Sequence, residues 1–493
     1  MKLGIIPYQK EDFEIINGEK RPNFQEYQST YECFNKPIDT PLNKRHFIYA
    51  PCAPMTLFTE LGYCNTEYPF DKPGFNTMDR SDGLSMICKG NDTVGVVESM
   101  GWRTGRCDVC LKEGTSYWEV EVVKGGVTVA KDTGNDPIKM KDAIDNSPHL
   151  RFGISRRETS LEAPVGFDQY GYGVRDQALE SVHGGELMKR IITDKQLKQG
   201  DIIGFLLTLP ENEKQIEQAK DYTLKRLQAL MQSESANSEH TTEHDHSTMG
   251  PQRKKVRNSK YSSNEFQKAL LRDIDHSDIV RDQIAIRYKG QLLYEATDYI
   301  KTTKPEYFST DHKNEEYDYS LKGSSLKIFL NGEYLGNAFE NLNPFLPPFS
   351  ELQYNEKFYY NYWKNGGSSD VSIRNHNSGI NDDDMELKKE PSVVNELKND
   401  INQNNVDRKQ ILRNKYVNNN RLGYYPTVSC FNGGEAKIIT VKTELKYLEQ
   451  VQTTSTDSIK TLDMLFNEQI ADDIVWDCLL YTSDAADELD GVD

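Results

Sequence analysis

Two stretches within residues 114–155 limit what this chain can become, because both alternate apolar and polar side chains with a period of two. In the first, Trp118, Val120 and Val122 fall on one side and Tyr117, Glu119 and Glu121 on the other. Leu150, Phe152 and Ile154 repeat the pattern in the second. A period of two puts successive side chains on opposite faces of an extended backbone, so each stretch reads as a half-buried strand. Together they predict two paired strands that share one buried face. Residues 124–147 between them are polar and broken by Gly125-Gly126, Gly134-Asn135-Asp136-Pro137 and Asn146-Ser147-Pro148, the marks of a long connection. Arg151, Gly153 and Ser155 are then expected to point away from the core.

Short strand signals recur around this pair, at 84–88, 94–97 and 101–109, and their spacing points to an antiparallel sandwich or barrel. The run at 201–209 is almost continuously apolar and stops at Pro210, as a strand in the middle of a sheet would. Further strand signals lie at 284–287 and 291–294. In 325–335, Leu326, Ile328 and Leu330 alternate into Asn331-Gly332, the pair favoured where both central residues of a tight turn take positive φ. Segments 421–431 and 436–441 close the domain. The fold class is all-β.

Only 36% of the 493 residues are hydrophobic, which favours one sizeable core with polar inserts over several domains. Residues 1–79 read as an extended arm laid over that core. The domain spans 80–445, interrupted by inserts at 211–277 and 369–420 whose composition cannot bury enough apolar surface to fold alone. A polar linker at 446–460, a helix at 461–481 and an acidic tail at 482–493 complete the chain.

A formal charge of −18 argues against a chain whose main task is wrapping nucleic acid. Eight cysteines are too few for a disulfide scaffold of this length, and the N-terminus has no signal-peptide character, so a reducing compartment, cytosol or nucleus, is expected. No apolar run is long enough to span a bilayer. Cys107 and Cys110 have zinc-like spacing, but on a strand they would point to opposite faces, and no second pair follows; two ordinary thiols are expected, with no metal. His183 lacks a nucleophile motif nearby and precedes Gly184-Gly185, which read as a loop. Gly166, Gly171 and Gly173 do not have phosphate-cradling spacing, so no cofactor is expected. Arg253, Lys254, Lys255 and Arg257 form a basic cluster that suits nuclear import or a touch on DNA, against the bland reading of a solvated charge run.

Trp102, Arg103, Arg106, Arg151 and Arg175 form the most informative set. Most strand arginines are solvated or ion-paired. Here a wall of Pro164 and Phe167 with Trp102 nearby would shelter guanidinium groups from water, and a sheltered planar fork suits bidentate recognition of carboxylate or phosphate. No catalytic constellation emerges, so the chain reads as a non-enzyme.

Five segments in order resemble a SPRY domain, a sandwich of two antiparallel sheets that binds partner peptides at one edge: 114–122, 150–155, 200–205, 328–339 and 425–429. Ala163-Pro164-Val165-Gly166-Phe167-Asp168 followed by Tyr170-Gly171-Tyr172-Gly173-Val174-Arg175 is similar to the Ash-two-like branch, and the Asn-rich inserts suit its fungal members. That resemblance implies the non-catalytic SPRY subunit of a SET/COMPASS complex, nuclear, which methylates lysine four of histone three. It also implies that an aromatic and basic pocket grips an acidic segment of the WD-repeat subunit and helps activate the SET-domain catalytic subunit, and it leaves room for a nucleosome contact. Arg151, Pro164 and Arg175 match that pocket, Trp102 and Phe167 stand where the branch has tyrosines, and Gln177 replaces a basic residue. A SPRY adaptor for another complex, such as a ubiquitin ligase, is the alternative; none of the modules it needs is visible.

In the C-terminal helix, Leu462, Phe466, Ile470, Ile474 and Cys478 recur every fourth residue and Leu465 widens the stripe, giving an amphipathic helix. By periodicity alone the stripe packs back on the sandwich at least as well as on a partner. The resemblance implies a partner, a Dpy-thirty-type homodimer whose apolar groove takes such a helix.

Overall fold

The computed structural model describes residues 72–126 apart from 82 and 88–90, then 147–191, 197–219, 319–346, 422–454 and 458–472, with short strand and helix segments elsewhere. In the N-terminal arm, β1 (Phe13–Ile16) pairs with β2 (Glu19–Pro22), and β3 (Phe34–Asn35), β4 (Ile48–Pro51), β5 (Ala53–Pro54) and β6 (Cys64–Thr66) follow. Next come β7 (Phe75–Arg80), β8 (Ser85–Ile87), β9 (Thr93–Gly95), β10 (Arg103–Cys107), β11 (Gly114–Lys124), β12 (His149–Ser155), β13 (Gly171–Arg175), β14 (Glu180–His183), β15 (Glu186–Arg190) and β16 (Ile202–Leu209). A helix α1 (residues 212–219) precedes β17 (Gln283–Tyr288), β18 (Gln291–Ala296), β19 (Tyr299–Ile300), β20 (Ser325–Leu330), β21 (Glu333–Glu340) and β22 (Leu352–Gln353). The chain ends with β23 (Tyr425–Phe431), β24 (Glu435–Ile439), helix α2 (Leu448–Thr454), β25 (Ile459–Thr461) and helix α3 (residues 462–472).

Two sheets make the expected antiparallel sandwich. One has seven strands in the order β15-β14-β13-β12-β23-β10-β7; the other has nine, in the order β21-β20-β16-β11-β24-β9-β8-β3, with β25 joined in parallel to β11. Trp118, Val120 and Val122 of β11 meet Leu150, Phe152 and Ile154 of β12 in a single core cluster, all at most 1% exposed. Trp118 stacks on Phe205 of β16, ring centroids 5.4 Å apart. Asn331 and Gly332 form the turn between β20 and β21 with φ of 49° and 85°, as the tight turn requires.

The sheets correct the expected pairing. β11 pairs with β16 and β24, β12 with β13 and β23, so the two stretches face one another across the core and are not neighbours. A period of two reports that one face is buried; it does not say whether the matching strand lies beside it or opposite it. The supposedly outward faces are covered as well. Tyr117 packs with Leu206, Phe329, Leu448 and Val451 beneath α2. Glu119 has no exposed surface; its carboxylate accepts the backbone N–H groups of Lys446 and Tyr447, at 2.9 and 2.8 Å, and the Tyr117 hydroxyl at 2.9 Å. Ser155 is buried against Thr427, Oγ to Oγ1 2.8 Å.

Residues 446–460, expected as a linker, thus contain α2 and most of β25, both fastened to the nine-stranded sheet. The first part of the insert at 211–277 is also structural: Gln215 and Ala219 of α1 are buried, and Gln215 Nε2 donates to the carbonyls of Lys112 and Pro210, both at 2.8 Å. The strand signals at 284–294 form strands, but in a separate sheet of the order β17-β18-β4, where the N-terminal arm supplies one member. The arm further supplies edge strands to both sandwich sheets, through β3 and β7. The insert at 369–420 and the basic cluster at 253–257 lie outside the described residues.

Candidate functional site

On β12 and β13, commitment of Leu150, Phe152, Ile154, Tyr172 and Val174 to the core leaves Arg151 and Arg175 on the opposite face. The strand register makes them direct partners, Arg151 with Arg175, and places Gly153 beside Gly173 in the next outward-facing row. Gly173 lets a loop lie flat on the sheet. A Cβ on Gly173 would stand 2.2 Å from the Val165 carbonyl oxygen, closer than atoms can approach. The loop is bolted down: Thr104 Oγ1 donates to the Ala163 carbonyl at 2.7 Å, and Val165 N–H donates to Ser429 Oγ at 2.9 Å. Gly166 turns the chain with φ of 83°, and its carbonyl accepts the N–H of Gly185 at 3.0 Å.

Pro164 in this loop is buried, and Trp102 is half-buried and tilted onto Phe431, ring centroids 5.2 Å apart. The Arg151 guanidinium carbon lies 5.2 Å from the centre of the Trp102 ring, a cation–π arrangement. Arg151 Nη1 donates to the Val165 carbonyl at a long 3.3 Å, while the buried Nε has no hydrogen-bond partner among the described residues. Burial, then the neighbouring charge of Arg175, pulls the Arg151 guanidinium down to about 10. The orphan donor, the burial and the like charge of Arg175 each favour an anion arriving beside Arg151. Arg175 is placed differently: Nη1 donates to Glu180 Oε2 at 3.0 Å and Nη2 to Gln177 Oε1 at 3.2 Å. Phe167 is 60% exposed at the rim, so it borders the pocket more than it shelters it.

The structure divides the arginine set. Arg106, only 3% exposed, is consumed inside the fold: Nε and Nη2 grip Asp79 at 2.8 and 2.7 Å, and its remaining donors reach the carbonyls of Arg156, Arg157 and Thr159. Burial alone would raise the Asp79 carboxyl, but Arg106 and Arg157 outweigh it and hold it below its usual value. Arg103 pairs with Glu162 at the surface, 3.2 Å. Trp102, Arg151, Pro164 and Arg175 come together. Strands β14 and β15, which extend the pocket's sheet to its edge, were missed in the sequence; Gly184 and Gly185, with φ of 59° and 77° in the two-residue turn between them, were the available signal.

Cys107 sits in the core cluster; Cys110 is buried beside it in sequence, its thiol pushed up to about 11 by burial. Among the described residues no group of three or more metal-ligating side chains comes together. His183 stacks on Tyr172 at 4.1 Å, gives its Nδ1 proton to the Gly171 carbonyl at 2.9 Å, and is lowered by burial, so it is a neutral structural imidazole.

The C-terminal stripe is split. Leu462 and Phe466 are 0% and 1% exposed in the sandwich core, and Leu465 and Ile470 pack partly against it. This corrects the expectation that all six stripe residues serve a partner. Gln469, which no apolar pattern could reveal, latches α3 to the loop before β11, donating Nε2 to the Cys110 carbonyl at 2.9 Å. Ile474 and Cys478 lie outside the described residues.

No protein-family model matches the chain. Among curated relatives, COMPASS component BRE2 of Saccharomyces cerevisiae is 48% identical, over 97% of this chain and 98% of its own. The Set1 complex component ash2 of Schizosaccharomyces pombe is 24% identical over 96% of this chain and 50% of its own. Similar solved structures include a human SPRY domain, 9% identical over 71% of this chain and 91% of that one, with a TM-score of 0.23.

Proposed function

Because the chain belongs to the family of the COMPASS component BRE2, we propose that it is a non-catalytic, nuclear subunit of a SET/COMPASS complex that methylates lysine four of histone three. In this reading the outer face of the seven-stranded sheet grips an acidic segment of the WD-repeat subunit, which helps seat the SET-domain catalytic subunit. The observation that carries it is Arg151, a guanidinium half-sunk between Trp102 and the 163–167 loop with a buried donor left over. A carboxylate reaching it would gain charge-assisted hydrogen bonds in partly desolvated surroundings, where they are strongest.

The C-terminal helix supplies the second contact. Its first turns are spent on the sandwich, so capture of a Dpy-thirty-type homodimer falls to the exposed side of Ile470 and to Ile474 and Cys478 beyond. The basic cluster Arg253, Lys254, Lys255 and Arg257 suits nuclear import and a nucleosome contact. A reconstituted methylation assay on histone three tests the proposal. The isolated chain transfers no methyl group, and leaving it out of the assembled complex lowers lysine-four methylation. Transfer by the isolated chain, or an unchanged rate on its omission, would overturn the proposal.

A further inference from the structure

The two pocket arginines differ in readiness, and the difference lies in one carboxylate. Both Nη groups of Arg175 already donate within the chain, to Glu180 and Gln177. Glu180 is 6% exposed and immediately precedes Ser181 on β14, whose antiparallel register partner is Val174, so Glu180 stands across from Arg175. Arg151, the neighbour of Arg175 on β12, has one long hydrogen bond and a buried Nε without a partner among the described residues.

We propose that Glu180 is a specificity-determining residue that holds Arg175 in reserve, so an acidic segment docks first on Arg151 and must displace Glu180 to recruit the second arginine. The inference rests on the acidic-segment reading of the site. A guanidinium recognises a carboxylate best through two parallel N–H donors. With Glu180 and Gln177 seated on Arg175, an isolated carboxylate at Arg151 gains nothing from the second fork. A segment with clustered carboxylates can exchange its own charge for that of Glu180. The internal pair therefore sets a threshold of acidic density below which binding stays weak.

Fluorescence anisotropy of the full chain with a labelled peptide of about twelve residues rich in Asp and Glu separates the two levels. Arg151→Ala is expected to weaken binding at least tenfold; unchanged binding would sink the site reading and this inference with it. With that loss in hand, Glu180→Gln is expected to tighten binding about tenfold, the worth of one charged hydrogen bond released. The gain should vanish in an Arg175→Ala background. Unchanged or weaker binding by Glu180→Gln, or a gain that persists without Arg175, would overturn the reserve role while the site reading stands. Should Glu180→Gln lower the melting temperature, Glu180→Asp, which keeps the charge and shortens its reach to Arg175, decides: tightening that needs Arg175 supports the inference, and no tightening overturns it.

Discussion

Hydrogen bonding sorts arginines that the sequence presents as equals. Arg106 is a bolt: it closes the Asp79 carboxylate and three loop carbonyls into one buried network. Truncating it leaves a buried carboxylate with less than its charge balance, so Arg106→Ala should cost about 3–5 kcal/mol of stability at pH 7. The pH dependence fixes the sign. In the wild type the Asp79 carboxyl is depressed, so its contribution is present above the unfolded value of about 4 and is lost as pH falls through the lower folded value. In Arg106→Ala burial prevails and raises that carboxyl, so protonation relieves the mutant. The gap between the two in urea denaturation should therefore narrow from pH 7 to pH 4. A gap below about 1 kcal/mol at pH 7, or one that widens in acid, would show that Arg106 is not the partner on which Asp79 depends. Arg151→Ala, by contrast, removes a side chain that spends little on the fold.

Elements near the C-terminus pack on the sandwich and, in the proposed function, also reach a partner, two roles that residue pattern alone mixed together. Phe466→Ala empties a fully buried site and should cost about 3–5 kcal/mol of stability, whereas Ile474→Asp should leave the melting temperature unchanged and abolish capture of a Dpy-thirty-type dimer. Calorimetric melts of both variants beside a pull-down check this; a Phe466→Ala melt equal to wild type, or an Ile474→Asp chain that still retains the dimer, would contradict it. The strands were largely legible, because alternation such as Leu326, Ile328 and Leu330 is a direct consequence of burying one face. Their partners were not, because β11 and β12 carry the same signature across a core that they would carry side by side. Helix α2 escaped notice since only Leu448 and Val451 mark it as apolar, and the surface it covers is built from Tyr117, Leu206 and Phe329 far away in sequence. Trp102, Arg151, Pro164 and Arg175 were singled out from residue chemistry and narrowed by resemblance, while Glu180 was missed: a lone glutamate in a short strand announces nothing until the register sets it across from Arg175.

At the scale of the whole molecule, a chain of net charge −18 offers an acidic partner no long-range attraction. Screening over about 8 Å at physiological salt confines the benefit of Arg151 to groups that touch it, so in the proposed function selectivity comes from the walls around Arg151 and not from the field of the protein. In the proposed function the sandwich is a platform with separate outputs: the outer face of one sheet for an acidic segment, and the C-terminal helix for an apolar groove. In the proposed function one sheltered arginine joins this chain to a methyltransferase complex. Affinity purification of the tagged full chain from cells, wild type beside Arg151→Ala, tests it most directly. SET-domain and WD-repeat subunits are expected to copurify with the wild type and to be lost or strongly reduced with Arg151→Ala, while the small helical dimer stays bound to both; equal recovery of all subunits with the two proteins, or no such subunits with the wild type, would contradict this role of Arg151.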